Sequence, residues 1–344
     1  MSITSRPFGC MTDGRTVKQY ALENANGMRA QIIPYGARIT GLWTKDRSGR
    51  LDDVVLGYDT LEEYLRPRDS QGAIIGRYAG PIRDAQLKIG EQTYALWPNA
   101  GAHQMHGGTG LGACFSEKLW TVETETDGDE PAITLGLLSP DGDGGFPGDL
   151  NVRVTYTLRA DDALRIEYEA VSSRDTALNL TSHAYFNLSG GPSIHGHELW
   201  VNAKRYTVQT DEDIPTGENA PVNGTAMDFT VRKPIGRDIA ALPMGYDHNW
   251  ALDKTDGPCA QLYDPLSGRL MEVYTDQPGL QVYTAGYLPE GKPGKRGSVM
   301  HPQCAVCLET QHWPDAVHHP HFPSTLLKAG ETFRSTTSYA FRTE

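Results

Sequence analysis

The chain has 344 residues, 38% hydrophobic and 22% charged, a balance that suits a soluble globular protein able to bury a substantial core. A formal net charge of -12 argues against nucleic acid or an anionic membrane surface as partner. No apolar run approaches the roughly 20 residues needed to span a bilayer, and the N-terminal MSITSRPFGCMTDGR has no apolar secretion signal, so a cytoplasmic location is expected.

Glycine (37) and proline (22) punctuate the whole length and separate short runs with a period of two. The plausible helices are short, such as TLEEYLR at 60–66. GRYAGPI (76–82) lacks the spacing of a phosphate-cradling loop. HQMHGGTG (103–110) sets His106 before a Gly-Gly turn, where it could cap the turn or face a ligand drawn close to the backbone. DGDGGFPGD (141–149) is a turn-rich loop, since a calcium loop of the EF-hand type wants an oxygen ligand and a glycine where Gly145 and Phe146 stand. LNVRVTYTL and LRIEYEA then form a hairpin pair: Val152, Val154, Tyr156 and Leu158 alternate with Arg153, Thr155 and Thr157, and Leu164, Ile166, Tyr168 and Ala170 alternate with Arg165, Glu167 and Glu169.

In TSHAYFNL (181–188), taken as a strand, Asn179, Thr181, His183, Tyr185 and Asn187 share a polar face, while Leu180, Ala184, Phe186 and Leu188 face a core. His183 is the group on that face that can titrate near neutrality. Further strands are expected in HELWVNAKRYTVQT, RLMEVYTD, LQVYTAGY and TFRSTTSYAF. YDHNW (246–250) carries Asp247, which could pair with a cation or accept two hydroxyl hydrogen bonds from a polyol, and LQVYTAGY carries Gln281. CAVCLET also has the pattern of a strand, which would turn Cys304 and Cys307 to opposite sides; five scattered cysteines are no disulfide framework. Glu309 ends this apolar strand with Cys307 and Gln311 on its side, where desolvation would raise its pKa and make it a proton acceptor. The loop beyond it holds His312, His318, His319 and His321 among prolines at 314, 320 and 323, without zinc-site spacing, so no metal is expected.

Strands follow strands, which disfavours a parallel α/β fold. The expectation is an all-β protein, one large antiparallel β-sandwich over 1–344 whose concave face gathers residues 106 to 309.

With these residues in hand, the chain resembles the aldose 1-epimerase (galactose mutarotase) family. The likeness rests on MHGG (105–108), SHAYFNLSG (182–190), YDHNW (246–250), GLQVYTAGY (279–287), and CLETQHWPDA with HFPSTLLKAGETF (307–333), in the family's order. It implies a large antiparallel supersandwich and a site without metal or organic cofactor. It also implies Glu309 as base, His183 as acid, and His106, Asp247 and Gln281 holding a monosaccharide, in a monomer or homodimer. One departure is Gly80-Pro81, where family members usually carry an Asn-Arg pair. Arg83 could reach the same face if that segment is extended, and is the expected substitute; Arg77 is retained and could be structural. The chemistry fits, since opening and closing a cyclic hemiacetal needs one proton acceptor and one donor. Competing readings are a non-catalytic sugar-binding or regulatory module on the same fold, and a sugar-phosphate epimerase, which should show clustered Lys or Arg. A glycosidase would need two carboxylates flanking the bond.

Overall fold

The computed structural model describes residues 3–66 and 70–344. Three antiparallel sheets account for most of it. A five-stranded meander occupies the N-terminal part, from Thr4–Cys10 to Leu51–Asp53. A nine-stranded sheet is centred on Leu150–Leu158, Ala163–Ser172 and Thr332–Thr343. A six-stranded sheet runs in the spatial order Tyr185–Phe186, Val306–Gln311, Gly279–Tyr283, Asp247–Ala251, Arg205–Gln209, Pro215–Pro221. The hairpin expected from the alternation is present, with Leu150 opposite Ser172 and Leu158 opposite Leu164. No helix among the described residues is long and apolar enough to cross a membrane.

The six-stranded sheet has two chemically different faces because its strands alternate. Leu308 and Val306, Leu280 and Val282, and Trp250 point into the main core, where they join Val154, Tyr156, Ile166 and Tyr339 of the nine-stranded sheet. The Tyr339 hydroxyl donates to the Leu308 carbonyl at 3.0 Å, and its ring lies 5.0 Å from that of Phe186. The opposite face therefore presents Cys307, Glu309 and Gln311, Gln281 and Tyr283, and Asp247 and Asn249.

Several expected elements are shorter or broken. The helix is the single turn Leu61–Tyr64. TSHAYFNL is two short strands rather than one: Thr181–Ser182 pairs with Ile74–Ile75, and Tyr185–Phe186 pairs with Val306–Cys307. Between them the His183 N–H donates to the Ala73 carbonyl at 2.8 Å, and its carbonyl accepts from Gly72 N–H at 2.9 Å. Alternation survives the break, so Leu180, Ala184, Phe186 and Leu188 still reach the core. HELWVNAKRYTVQT likewise divides into Glu198–Val201 in the nine-stranded sheet and Arg205–Gln209 in the six-stranded one. The CAVCLET strand begins at Val306, which leaves Cys304 outside it.

Candidate functional site

A cavity of about 610 Å³ lies over the polar face of the six-stranded sheet, a size suited to a small ligand. Register places its floor. Gln281 sits directly between Glu309 and Asn249, and Tyr283 between Cys307 and Asp247. Tyr185, opposite Cys307 on the other side, extends the same row.

Glu309 is 2% exposed and His183 is 4% exposed, and both line the cavity. Burial, with a smaller contribution from the charge of Asp247, pushes the Glu309 carboxyl well above its ordinary value. Burial, reinforced by His106, holds the His183 imidazole well below its own. The His183 Nε2 and Glu309 Oε1 atoms are 3.8 Å apart, beyond a direct hydrogen bond. Each is thus near enough to act on one ligand without being locked to the other. The His183 ring stacks on Tyr185 at 5.0 Å and meets Tyr283 edge-on at 6.0 Å, which fixes its plane.

His106 is positioned by its turn. Its backbone φ is 53°, followed by 70° at Gly107 and 98° at Gly108. A Cβ on Gly107 would stand 2.6 Å from the Gly76 carbonyl oxygen, so the glycine serves close packing of backbone on backbone rather than approach of a ligand. The Gly80 N–H donates to His106 Nδ1 at 3.1 Å, which places the proton of the neutral ring on Nε2. Burial keeps the ring neutral, with its pKa down to about 4. Across the sheet, Gln281 Nε2 donates to Asp247 Oδ1 at 2.7 Å. Burial pushes Asp247 up to about 7 against the opposing effect of that hydrogen bond, and Asp213 adds to the rise.

Five of the six expected site residues, His106, His183, Asp247, Gln281 and Glu309, therefore meet in one cavity. Arg83 does not. The extended conformation it required ends at Pro81–Ile82, and the chain turns at Arg83–Ala85 with Asp84 at φ 54° and Ala85 at φ 48°. Arg83 is not among the lining residues, and its N–H is held by Asp315 Oδ1 at 3.0 Å. Arg77 is structural: buried, it donates to the carbonyls of Ser139, Pro140, Pro147 and Gly148, pinning the 139–148 turn. Of the four loop histidines, His312 pairs with Gln277, His318 and His319 both with Asp315, His319 also with the Pro215 carbonyl, and His321 with the Gly217 carbonyl.

The cavity also has residues that pattern reading passed over. Tyr185 shares the expected face of His183 and Gln311 that of Glu309, so alternation alone could have nominated both. Tyr287, Asp213 and Gln209 close the mouth: the Tyr287 hydroxyl donates to Asp213 Oδ2 at 2.8 Å, and Gln209 Nε2 to Asp213 Oδ1 at 3.1 Å. They come from loops and a strand end distant in sequence, where no periodicity marks them. One metal-like grouping exists among the described residues, His183, Cys307 and Glu309, with ligand atoms within 4.8 Å of one another. Burial pushes the Cys307 thiol well up, which opposes the thiolate a soft metal would need.

A family model described as aldose 1-epimerase matches residues 18–340. The chain belongs to the aldose 1-epimerase family. Relatives in it include the galactose mutarotases of Sus scrofa and Homo sapiens, both 41% identical over 99% of this chain and 99% and 98% of theirs. The aldose 1-epimerase of Haemophilus influenzae is 36% identical, covering 96% of this chain and 97% of its own. Among solved structures, the aldose epimerase homologue from C. elegans matches with a TM-score of 0.88 at 28% identity, over 94% of this chain and 98% of that one. The galactose 1-epimerase of Lactobacillus acidophilus matches at 0.88 and 26%, over 100% and 99%. The supersandwich expected from the resemblance is thus the fold of this aldose 1-epimerase family member, and the stretches that carried the resemblance supply the cavity's His106, His183, Asp247, Gln281 and Glu309.

Proposed function

We propose that this protein is an aldose 1-epimerase that interconverts the α and β anomers of a neutral free aldose, with Glu309 and His183 as its proton-transferring pair. The observation that carries the reading is that pair: two buried groups of opposite type, 3.8 Å apart, with pKa values driven in opposite directions by the same burial. Burial disfavours charge on both, so a proton shared by the pair passes between a neutral form, carboxylic acid with imidazole, and an ionised form, carboxylate with imidazolium. That is the stock the reaction needs.

In the forward step, which starts from the ionised form of the pair, the Glu309 carboxylate takes the proton of the C1 hydroxyl while the His183 imidazolium gives one to the ring oxygen, and the C1–O5 bond opens to the aldehyde, leaving the pair in its neutral form. The proton count of the pair is unchanged; one has moved in and one out. Rotation about C1–C2 presents the other carbonyl face. Closure returns the Glu309 proton to O1 and takes the O5 proton back to His183. Each positioned transfer contributes about 10²–10⁴-fold. His106, donating through Nε2, and Asp247 with Gln281 hold sugar hydroxyls.

Three carboxyl groups, Asp213, Asp247 and Glu309, line the cavity against one lysine, Lys292. That balance favours a neutral sugar over a phosphorylated one. The test is polarimetry on freshly dissolved α-glucose, α-galactose, xylose, arabinose and α-glucose 6-phosphate. Acceleration of the neutral sugars with little or none for the phosphate is expected. Acceleration confined to the phosphate would replace the substrate assignment, and none for any sugar would leave a binding role.

A further inference from the structure

One buried polar side chain in the cavity has no place in the chemistry above. Gln311 lies two residues beyond Glu309 on the same face of the Val306–Gln311 strand, about 6.6 Å along it at the usual rise. That spacing matches the breadth of a pyranose ring with its hydroxyls. Gln311 is 1% exposed and lines the cavity, yet its Oε1 has no hydrogen-bond partner among the described residues. A buried amide oxygen left unpaired is destabilising unless something else donates to it.

The walls around it offer no alternative. Gly80 faces it: a Cβ there would stand 3.8 Å from Gln311 Nε2 and 3.2 Å from Pro314 Cβ. The Gly80 N–H is bonded to His106 Nδ1, and its carbonyl accepts from the His106 N–H at 3.1 Å. Pro81 has no N–H, and Met105 and Pro314 complete an apolar end. Besides His106 Nε2, a hydroxyl reaching this end of the cavity meets the carboxamide of Gln311.

We infer that Gln311 is a substrate-binding residue: its carboxamide hydrogen-bonds one ring or exocyclic hydroxyl remote from C1, and so sets which aldoses the site prefers. The inference rests on the epimerase reading and deepens it. Gln311 touches no reacting atom, so its loss weakens binding and leaves proton transfer alone.

The experiment measures anomer exchange by Gln311→Met, with α-D-glucose or α-D-galactose, whichever the wild type takes faster, and that sugar's deoxy analogues. The wild-type rate in the same assay separates failure of this inference from failure of the epimerase reading. A KM raised about tenfold is expected, with kcat within about twofold, an unchanged pH profile of kcat, and no penalty for one particular deoxy analogue, the one lacking the bonded hydroxyl. An unchanged KM overturns the inference. So does an equal penalty across all analogues, which marks a structural role, or a fall in kcat like that of a lost proton carrier. Should Gln311→Met not fold, Gln311→Asn keeps the amide but withdraws it by one methylene, and the same readouts apply.

Discussion

Asp247 stands under two opposed influences, burial raising its pKa and the Gln281 hydrogen bond lowering it, with burial the larger and the result about 7. An ionised carboxylate accepts hydrogen bonds about twice as strongly as a neutral group. Sugar binding should therefore tighten, and KM fall, as pH rises through 7. Asp213 contributes like-charge repulsion, so Asp213→Asn should move that midpoint down, and Asp247→Asn should remove it; initial rates from pH 5 to 9 check both. The Glu309–His183 pair behaves differently. It loses its single proton only above a carboxyl pushed well up, and gains a second only below an imidazole pushed well down. Consequently the acid limb of kcat should lie below the ordinary imidazole value of about 6.5 and the alkaline limb above the ordinary carboxyl value of about 4.3, and an acid limb above 6.5 would count against the pair. Residue type and strand alternation pointed to His183 and Glu309, while the sugar-holding roles of His106, Asp247 and Gln281 came from the family resemblance. The sequence could not carry Asp213 or Gln209, whose place depends on how distant segments fold over the mouth, nor exclude Arg83, because nothing in Asp84 or Ala85 announces a left-handed turn.

At the level of elements, the Val306–Gln311 strand joins core and site through alternation. Leu308 is fully buried on one side and Glu309 faces the cavity on the other. Leu308→Ala should cost about 2–5 kcal/mol of stability by leaving a cavity, while the folded fraction keeps its kcat; urea unfolding and rates per folded molecule separate the two. The turn at His106 is the more fragile part. Gly107→Ala would place a Cβ 2.6 Å from the Gly76 oxygen at a positive φ. It should displace His106, raise KM and destabilise by more than about 1 kcal/mol. Strand existence was legible because the period of two repeats over long runs such as 150–158. Strand breaks were not: 181–188 keeps its alternation while passing from one sheet to another, and alternation is blind to which neighbour a strand pairs with.

Across the whole molecule, burial acts on histidines more often than on carboxyls. His106, His183, His197, His248, His312 and His319 all have pKa values below the ordinary 6.5, about 4 for His106, His197 and His248. A depressed folded-state value contributes stability that is present above the unfolded pKa and lost as pH falls toward the folded one. Asp247 and Glu309, both raised, act in the opposite sense, gaining as pH falls. Six groups oppose two, so the urea midpoint should drop between pH 7 and pH 4.5, and a midpoint that rises on acidification would show that the two carboxyls dominate. The large sandwich itself was legible from composition and alternation. The division into five-, nine- and six-stranded sheets was not, because pairing order is fixed by contacts between segments far apart in the chain.

The claim on which the rest depends is that Glu309 is a proton carrier in anomer exchange. The direct measurement is the polarimetric rate for fresh α-glucose and α-galactose with wild type and Glu309→Gln, the fold of each verified by circular dichroism. Wild type should accelerate exchange and Glu309→Gln should lose at least about 100-fold, the size of a missing general base, with its fold intact. A folded Glu309→Gln variant retaining more than about a tenth of the wild-type rate would contradict it.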